Sequence, residues 1–229
     1  MDFSYILSNY NELITDIRRI CVNLNRNFDE IKLIAVSKTF PPEYVSELFK
    51  SGHPDFGENK VQELRNKFDN LRDLPVKWHL IGHLQTNKVK YIAEFVHLIQ
   101  SVDSVKLAEE IEKNAKKYNR IIDVLVQVNT SREDQKSGVE IEYTGNLCNE
   151  ISKMEHLNLK GLMTIGKLTD NKDIIRENFK TLRILFDEFK QVHKDFEYLS
   201  MGMTSDYEIA LEEGANMLRI GSAIFGSRN

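Results

Sequence analysis

The sequence predicts an α/β fold: a single (β/α)8 barrel with an extra N-terminal helix, one domain spanning residues 1–229. Three observations predict it. Short apolar runs rich in β-branched residues alternate with stretches of helical periodicity, eight such runs can be counted, and the first ends in Ser37-Lys38-Thr39-Phe40-Pro41-Pro42 without a glycine. Near-continuous apolar strands separated by amphipathic helices imply a parallel sheet covered by helices. Eight strands close a barrel of roughly 200 to 250 residues. An open doubly wound sheet would instead show five or six strands and a glycine-rich first turn.

The leading helix is expected over about residues 3–27, with 1–30 assigned to that element. The apolar runs then follow at 32–37 (KLIAVS), 55–57 (DFG), 76–81 (VKWHLI), 96–101 (VHLIQS), 121–129 (IIDVLVQVN), 159–165 (LKGLMTI), 198–203 (YLSMGM) and 217–221 (MLRIG). The second is very short and is the weakest element. Helical stripes fill the gaps. After Pro41-Pro42, which suit a helix start, Val45, Leu48 and Phe49 fall at i, i+3, i+4. Leu107, Ile111 and Ala115 repeat every four residues, and Phe179, Leu182, Leu185, Phe186 and Phe189 form a further stripe.

Glycine and proline are sparse, at 11 and 4, and no linker-like stretch divides the chain. A net charge of -4 supplies no global attraction to nucleic acid or an anionic membrane. The N-terminus carries an early acid, Asp2, and no secretory apolar core. No window reaches the roughly 18 apolar residues of a membrane span. Cys21 and Cys148 lie far apart outside any Cys-x-x-Cys pattern, and read as buried or idle thiols of a reducing compartment. Cytoplasm is the expected location.

In such barrels the site lies where strands end and helices begin. Lys38 follows the first run, with an alternation that aims it at the mouth. A strand-end lysine is ordinarily solvated; a Schiff-base role requires an amine desolvated enough to be neutral near pH 7. Gly202, after the seventh run, lets the backbone approach a ligand, and Ser205 to Glu208 has a capping-box pattern. Gly221 and Ser222 open a short helix after the eighth run. Two neighbouring helix N-termini suit a dianionic phosphate, at the position this fold commonly uses for one. Strand eight adjoins strand one in a closed barrel, so one ligand should bear both a phosphate and an aldehyde. Pyridoxal 5′-phosphate (PLP) fits, and a phosphorylated sugar in an aldolase fits nearly as well.

The stretches AVSKTF (35–40), FGENKVQEL (56–64), WHLIGHLQTNK (78–88), VNTSREDQKSGV (128–139), GLMTIG (161–166) and LSMGMTSDYEIALEEGANMLRIGSAIFG (199–226) resemble the YggS/PROSC family of PLP homeostasis proteins. They run in order across nearly the whole chain and are highly specific together. The resemblance implies a barrel like the N-terminal domain of alanine racemase, with PLP on Lys38. It implies that Ser200 and Thr204 contact the phosphate with the backbone amides of Gly221 and Ser222. Arg219 would face the pyridine nitrogen, and Asn59, His79 and Met163 would line the pocket. Thr204 stands where serine is more usual and keeps the hydroxyl. His83 stands where proline is frequent, which leaves only the local loop shape in doubt.

Arg219 also has a reading of its own. Among Met217, Leu218 and Ile220 a guanidinium is costly to bury unless paired, so it is either half of a structural ion pair or a functional cation. With a pKa above about 12, it would keep a facing pyridine nitrogen unprotonated and weaken the ring as an electron sink. His79 and His83, four apart in a strand, mimic a metal pair, but lack a third ligand at matching spacing; no metal is expected. His53, in a Gly-His-Pro turn, reads as solvated. Lys136 reads as a surface residue within reach of the mouth, and Lys88 and Lys90 as a solvated helix face.

Enzymes that share this PLP barrel add a C-terminal β-domain and a partner-subunit tyrosine. Here the sequence stops three residues after the last motif at Gly226. The resemblance therefore implies a PLP carrier of homeostasis without robust turnover, expected as a monomer and serving PLP-dependent apo-enzymes. The alternatives are a PLP-dependent racemase or decarboxylase using barrel residues only, and a PLP-free Schiff-base aldolase.

Overall fold

Each apolar run becomes one parallel strand. The computed structural model describes residues 3–133 and 135–226. Strands β1 (Lys32–Val36), β2 (Asp55–Glu58), β3 (Lys77–Leu80), β4 (Leu98–Val102), β5 (Ile122–Gln127), β6 (Leu157–Met163), β7 (Tyr198–Ser200) and β8 (Met217–Ile220) close a barrel in chain order. The seam joins Ile34 to Arg219 and Ala35 to Ile220. Outside lie α1 (Ser4–Asn23), α2 (Pro42–Lys50), α3 (Val61–Asn70), α4 (Val105–Lys117), α5 (Thr144–Ile151), α6 (Lys172–Val192), α7 (Tyr207–Glu212) and α8 (Ser222–Phe225). The predicted (β/α)8 barrel with its extra N-terminal helix is the observed fold.

Strand bounds shift by one to three residues from expectation, and three further differences stand out. The leading helix stops at Asn23; Asn25 takes a left-handed φ of 52°, and a 3-10 turn at Phe28–Glu30, capped by Asn27, carries the chain into β1. The β3–β4 connection contains a 3-10 turn, Thr86–Tyr91, so Lys88 and Lys90 sit on that tighter element rather than on an α-helix. The weakest expected strand, β2, is four residues long, fully buried and paired on both sides.

Side-chain alternation divides the core in two. Ile34, Leu98, Leu125, Met163 and Met217 point inward and fill the barrel. Their neighbours Leu33, Ala35, Leu218 and Ile220 face outward against the helices. Gly57 makes the inner packing possible. A Cβ there would lie 2.9 Å from Ile34 Cγ2 and 3.2 Å from Ile81 Cδ1. Above this layer the same period carries Lys38, Asn59, His83 and Gly221 to the mouth at the C-terminal ends of the strands.

Candidate functional site

A cavity of about 610 Å³ opens at that mouth, walled by Lys38, Asn59, Gln127, Thr204, Arg219 and Gly221, with Ser222, Lys136, His83 and Met203 among its further lining. Strand β1 supplies Lys38, which is half-buried. Its turn is gripped from both sides. The Ser37 hydroxyl donates to Glu58 Oε1 at 2.6 Å, and Lys67 Nζ donates to the Ser37 carbonyl at 2.7 Å. Thr39 on the other side is held at φ 71° while its N–H donates to the Glu63 carboxylate. Lys67 and Glu58 form an ion pair with side chains 2% and 0% exposed. Burial pushes the Glu58 carboxyl above its ordinary range, against the pull of Lys67.

The opposite wall comes from the turns after β7 and β8. Thr204 Oγ1 accepts from the Ala223 N–H at 3.5 Å and so ties the two turns together. Helix α7 begins at Tyr207 with Asp206 at its N-cap position, where the carboxylate accepts from the Met203 N–H at 2.6 Å. The capping box expected at Ser205 does not form; Asp206 folds the preceding turn instead. Gly202 has φ 95°, and a Cβ on it would lie 2.6 Å from Ala210 Cβ. Its close approach is therefore to α7, which the glycine lets pack against the strand end.

Arg219 is 3% exposed. Its Nη1 donates to Ser200 Oγ at 2.6 Å and its Nη2 to the Thr164 carbonyl at 2.7 Å. Burial pushes its pKa down to about 10, with the Asp206 charge opposing, so the guanidinium is still protonated near neutral pH. The structural ion pair considered for Arg219 is thus replaced by hydrogen bonds to neutral oxygens.

The residues singled out from sequence divide by depth. Lys38, Asn59, Thr204, Arg219, Gly221 and Ser222 share the cavity wall. Met163 lies below it in the inner apolar cluster. Ser200 and His79 are buried beneath the wall, and Gly202 supports α7 from behind it. Lys136, expected at the surface, stands on the wall; its Nζ donates to the Gly166 carbonyl at 2.9 Å and pairs with Glu133 at 2.7 Å. The sequence signal for it is its place in the loop after the fifth strand, on the same face as Lys38. Sequence reasoning misses Lys67, although it recurs at helical spacing on the buried stripe of Val61 and Leu64.

His53 departs from its solvated reading. It is buried, with Nε2 donating to the Asp55 carbonyl at 2.8 Å and Nδ1 lying 3.2 Å from the Tyr10 hydroxyl. The left-handed turn at Gly52 tucks it beneath β2 against α1. His79 and His83 do not meet. His83 is exposed at the mouth, 3.5 Å from Asp103, whereas His79 donates to Asp55 inside the barrel at 2.9 Å. Asp55, His79 and His97 bring ligand atoms within 4.8 Å of one another.

Residues 16–229 match the family model for the alanine racemase N-terminal domain. A pyridoxal phosphate homeostasis protein of Aquifex aeolicus is 42% identical over 219 residues, covering 95% of this chain and 96% of the relative. The chain belongs to the pyridoxal phosphate homeostasis protein family. Among solved structures, a protein of Bifidobacterium adolescentis described as unknown superposes with TM-score 0.94 at 30% identity, covering 98% of this chain and 97% of that one. PipY of Synechococcus elongatus, solved with PLP bound, superposes with TM-score 0.80 at 32% identity, covering 92% and 99%. Among the described residues, no helix is long and apolar enough to cross a membrane.

Proposed function

We propose that this chain binds PLP at the barrel mouth, held through Lys38 as a Schiff base, and acts in intracellular PLP homeostasis without robust turnover. One observation carries the reading: Lys38 and the Arg219–Ser222 segment stand on one cavity wall because β1 and β8 are hydrogen-bonded neighbours.

The donor set fits the cofactor. Lys38 and Lys136 offer amines, Thr204, Ser205 and Ser222 offer hydroxyls, and Asn59 offers an amide. A cavity of about 610 Å³ is of the size that encloses a small organic ligand. PLP supplies an aldehyde that condenses with a primary amine, and a phosphate that gives it a fixed orientation. Thr204 and the backbone amides of Gly221 and Ser222 would receive the phosphate at the β7–β8 turns. Arg219, a cation on the wall, would face the ring nitrogen and keep it unprotonated, which would blunt electron withdrawal. Asn59 borders the ring, while His79, Met163 and Ser200 shape the floor from beneath and Gly202 fixes the turn that carries Thr204.

The carrier reading is supported by relatives 42% and 41% identical that bear the homeostasis name. Cytoplasm is the proposed location, a monomer the proposed state, and PLP-dependent apo-enzymes the proposed recipients.

Purified protein saturated with PLP should show a visible absorption band that disappears in Lys38→Ala; absence of bound cofactor in the wild type would remove the reading. Incubation with amino acids in deuterated water separates the carrier from a racemase or decarboxylase. Exchange of the α-hydrogen faster than about 1 per second, the lower range of ordinary enzymes, would overturn the carrier role.

A further inference from the structure

Arg219 begins a hydrogen-bonded chain that leaves the cavity and runs down the barrel interior. Its Nη1 donates to Ser200 Oγ at 2.6 Å, and the Ser200 hydroxyl donates to Gln100 Oε1 at 2.7 Å. At the other end of that amide, Gln100 Nε2 lies 3.3 Å from His79 Nδ1. His79 Nε2 lies 2.9 Å from Asp55 Oδ1. Strands β8, β7, β4, β3 and β2 each supply one residue, and all five are buried.

The direction of this chain is forced. A guanidinium can only donate and an ionised carboxylate can only accept. Donation from Arg219 turns the Ser200 hydrogen toward Gln100 Oε1, which points the amide NH2 at His79. His79 Nδ1 must then accept, so the ring proton sits on Nε2 and is aimed at Asp55. The charges at the two ends agree with this. Burial alone would raise the Asp55 carboxyl, but the hydrogen bond from His79 and the nearby Lys32 and Lys77 hold it below its ordinary value. Burial pushes His79 down to about 4, so the ring that links the charges is neutral near pH 7.

We propose that Gln100, His79 and Asp55 are positioning residues for Arg219, forming a one-way polarised relay from a cation at the cavity to a carboxylate at the opposite end of the barrel. The relay fixes the plane of the guanidinium, whose nearby countercharge is Asp206. Metal binding and the relay compete for one atom. Asp55, His79 and His97 resemble a ligand set, and an ion on His79 Nε2 would displace the ring proton that the Asp55 bond uses. The proposal rests on the PLP reading only for the last of its readouts.

The first readout uses cofactor-free protein. Ring 15N NMR of His79 should show a protonated Nε2 and an unprotonated Nδ1, unchanged by added Zn²⁺. The opposite tautomer, or loss of the Nε2 proton to Zn²⁺, would overturn the relay. In Asp55→Asn, exchange of the Arg219 guanidinium protons with water should accelerate roughly tenfold, the scale of one charge-assisted hydrogen bond, and Asp55→Glu should restore part of the protection. An unchanged rate would overturn it. If Asp55→Asn does not fold, Gln100→Leu breaks the same relay midway and is held to the same outcome. With PLP added, Asp55→Asn should shift the visible band and weaken binding roughly tenfold, with Lys38 intact; a purely structural role would lower the melting temperature and leave the band in place. If the wild type takes up no PLP, the functional reading fails, while His79 and Arg219 still report on the relay.

Discussion

Lys67 lies where helical spacing from Val61 and Leu64 returns a side chain to the core, and a lysine there must find a charge. It finds Glu58, together with the carbonyl of Ser37. Breaking a buried pair from one side strands the other charge and typically costs about 3–5 kcal/mol. Lys67→Met should therefore destabilise by about that amount in chemical denaturation, and adding Glu58→Leu should recover much of the loss. A larger loss in the double variant would mean that the pair itself carries the stability. His79 predicts a pH dependence. Its pKa is 6.5 as a free side chain and about 4 when folded, so between those values the unfolded chain binds a proton that the folded chain refuses. Stability is then full above pH 6.5 and falls as the pH drops toward 4, by about 3 kcal/mol. Denaturation midpoints measured across that window should decline, and His79→Gln should flatten the decline. Lys38 and Arg219 are legible in sequence because strand alternation predicts the face of a side chain. The depth of His79 and Ser200 is not, because a period of two does not say how far down the barrel a residue sits.

Turns carry the cavity wall, and their conformations show what pattern reading recovers at the level of elements. The β7–α7 turn needs φ 95° at Gly202, and a Cβ added there would approach Ala210 Cβ to 2.6 Å. Gly202→Ala therefore meets both backbone strain and a clash, at a cost of about 1–3 kcal/mol. Its melting temperature should fall by roughly 2–10 °C, and PLP affinity should fall with it as Thr204 is displaced. A variant of unchanged stability would show that the turn can move away from α7 freely. Gly202 and Gly221 mark these two turns in sequence, because glycine is what a left-handed or crowded backbone requires. The cap of α7 lies one residue later than the capping-box pattern predicts. Ser205 and Asp206 both suit a cap; Asp206 takes the position without a side-chain cap bond, and its carboxylate accepts from the Met203 N–H of the preceding turn instead. Strand β2 looks weak in sequence since DFG is short, yet pairing with β1 and β3 on both sides completes it. Its stability comes from neighbours, which local sequence does not display.

At the scale of the whole molecule, the cavity joins the two ends of the fold. Lys38 follows the first strand and Ser222 the last, and the seam between β1 and β8 is the contact that closes the barrel. A ligand linked to Lys38 and resting on the β7–β8 turns bridges that seam, so it binds the closed barrel and not the unfolded chain. Linkage then sets its effect on stability: at a free concentration about 100 times its Kd, a ligand selective for the folded state contributes about 2.7 kcal/mol. For a domain of this size that corresponds to a rise in melting temperature of roughly 5–10 °C. Lys38→Ala removes the proposed covalent anchor and leaves Ser37, Glu58 and Lys67 in place beneath it. Measured from the variant's own cofactor-free melting point, the rise produced by the same PLP concentration should shrink to a small fraction of the wild-type rise. Differential scanning fluorimetry over a PLP titration measures both quantities at once. An equal rise in the two proteins would place the main binding energy in the phosphate turns and leave the lysine an accessory; a lower cofactor-free melting point would make Lys38 part of the scaffold of its own turn.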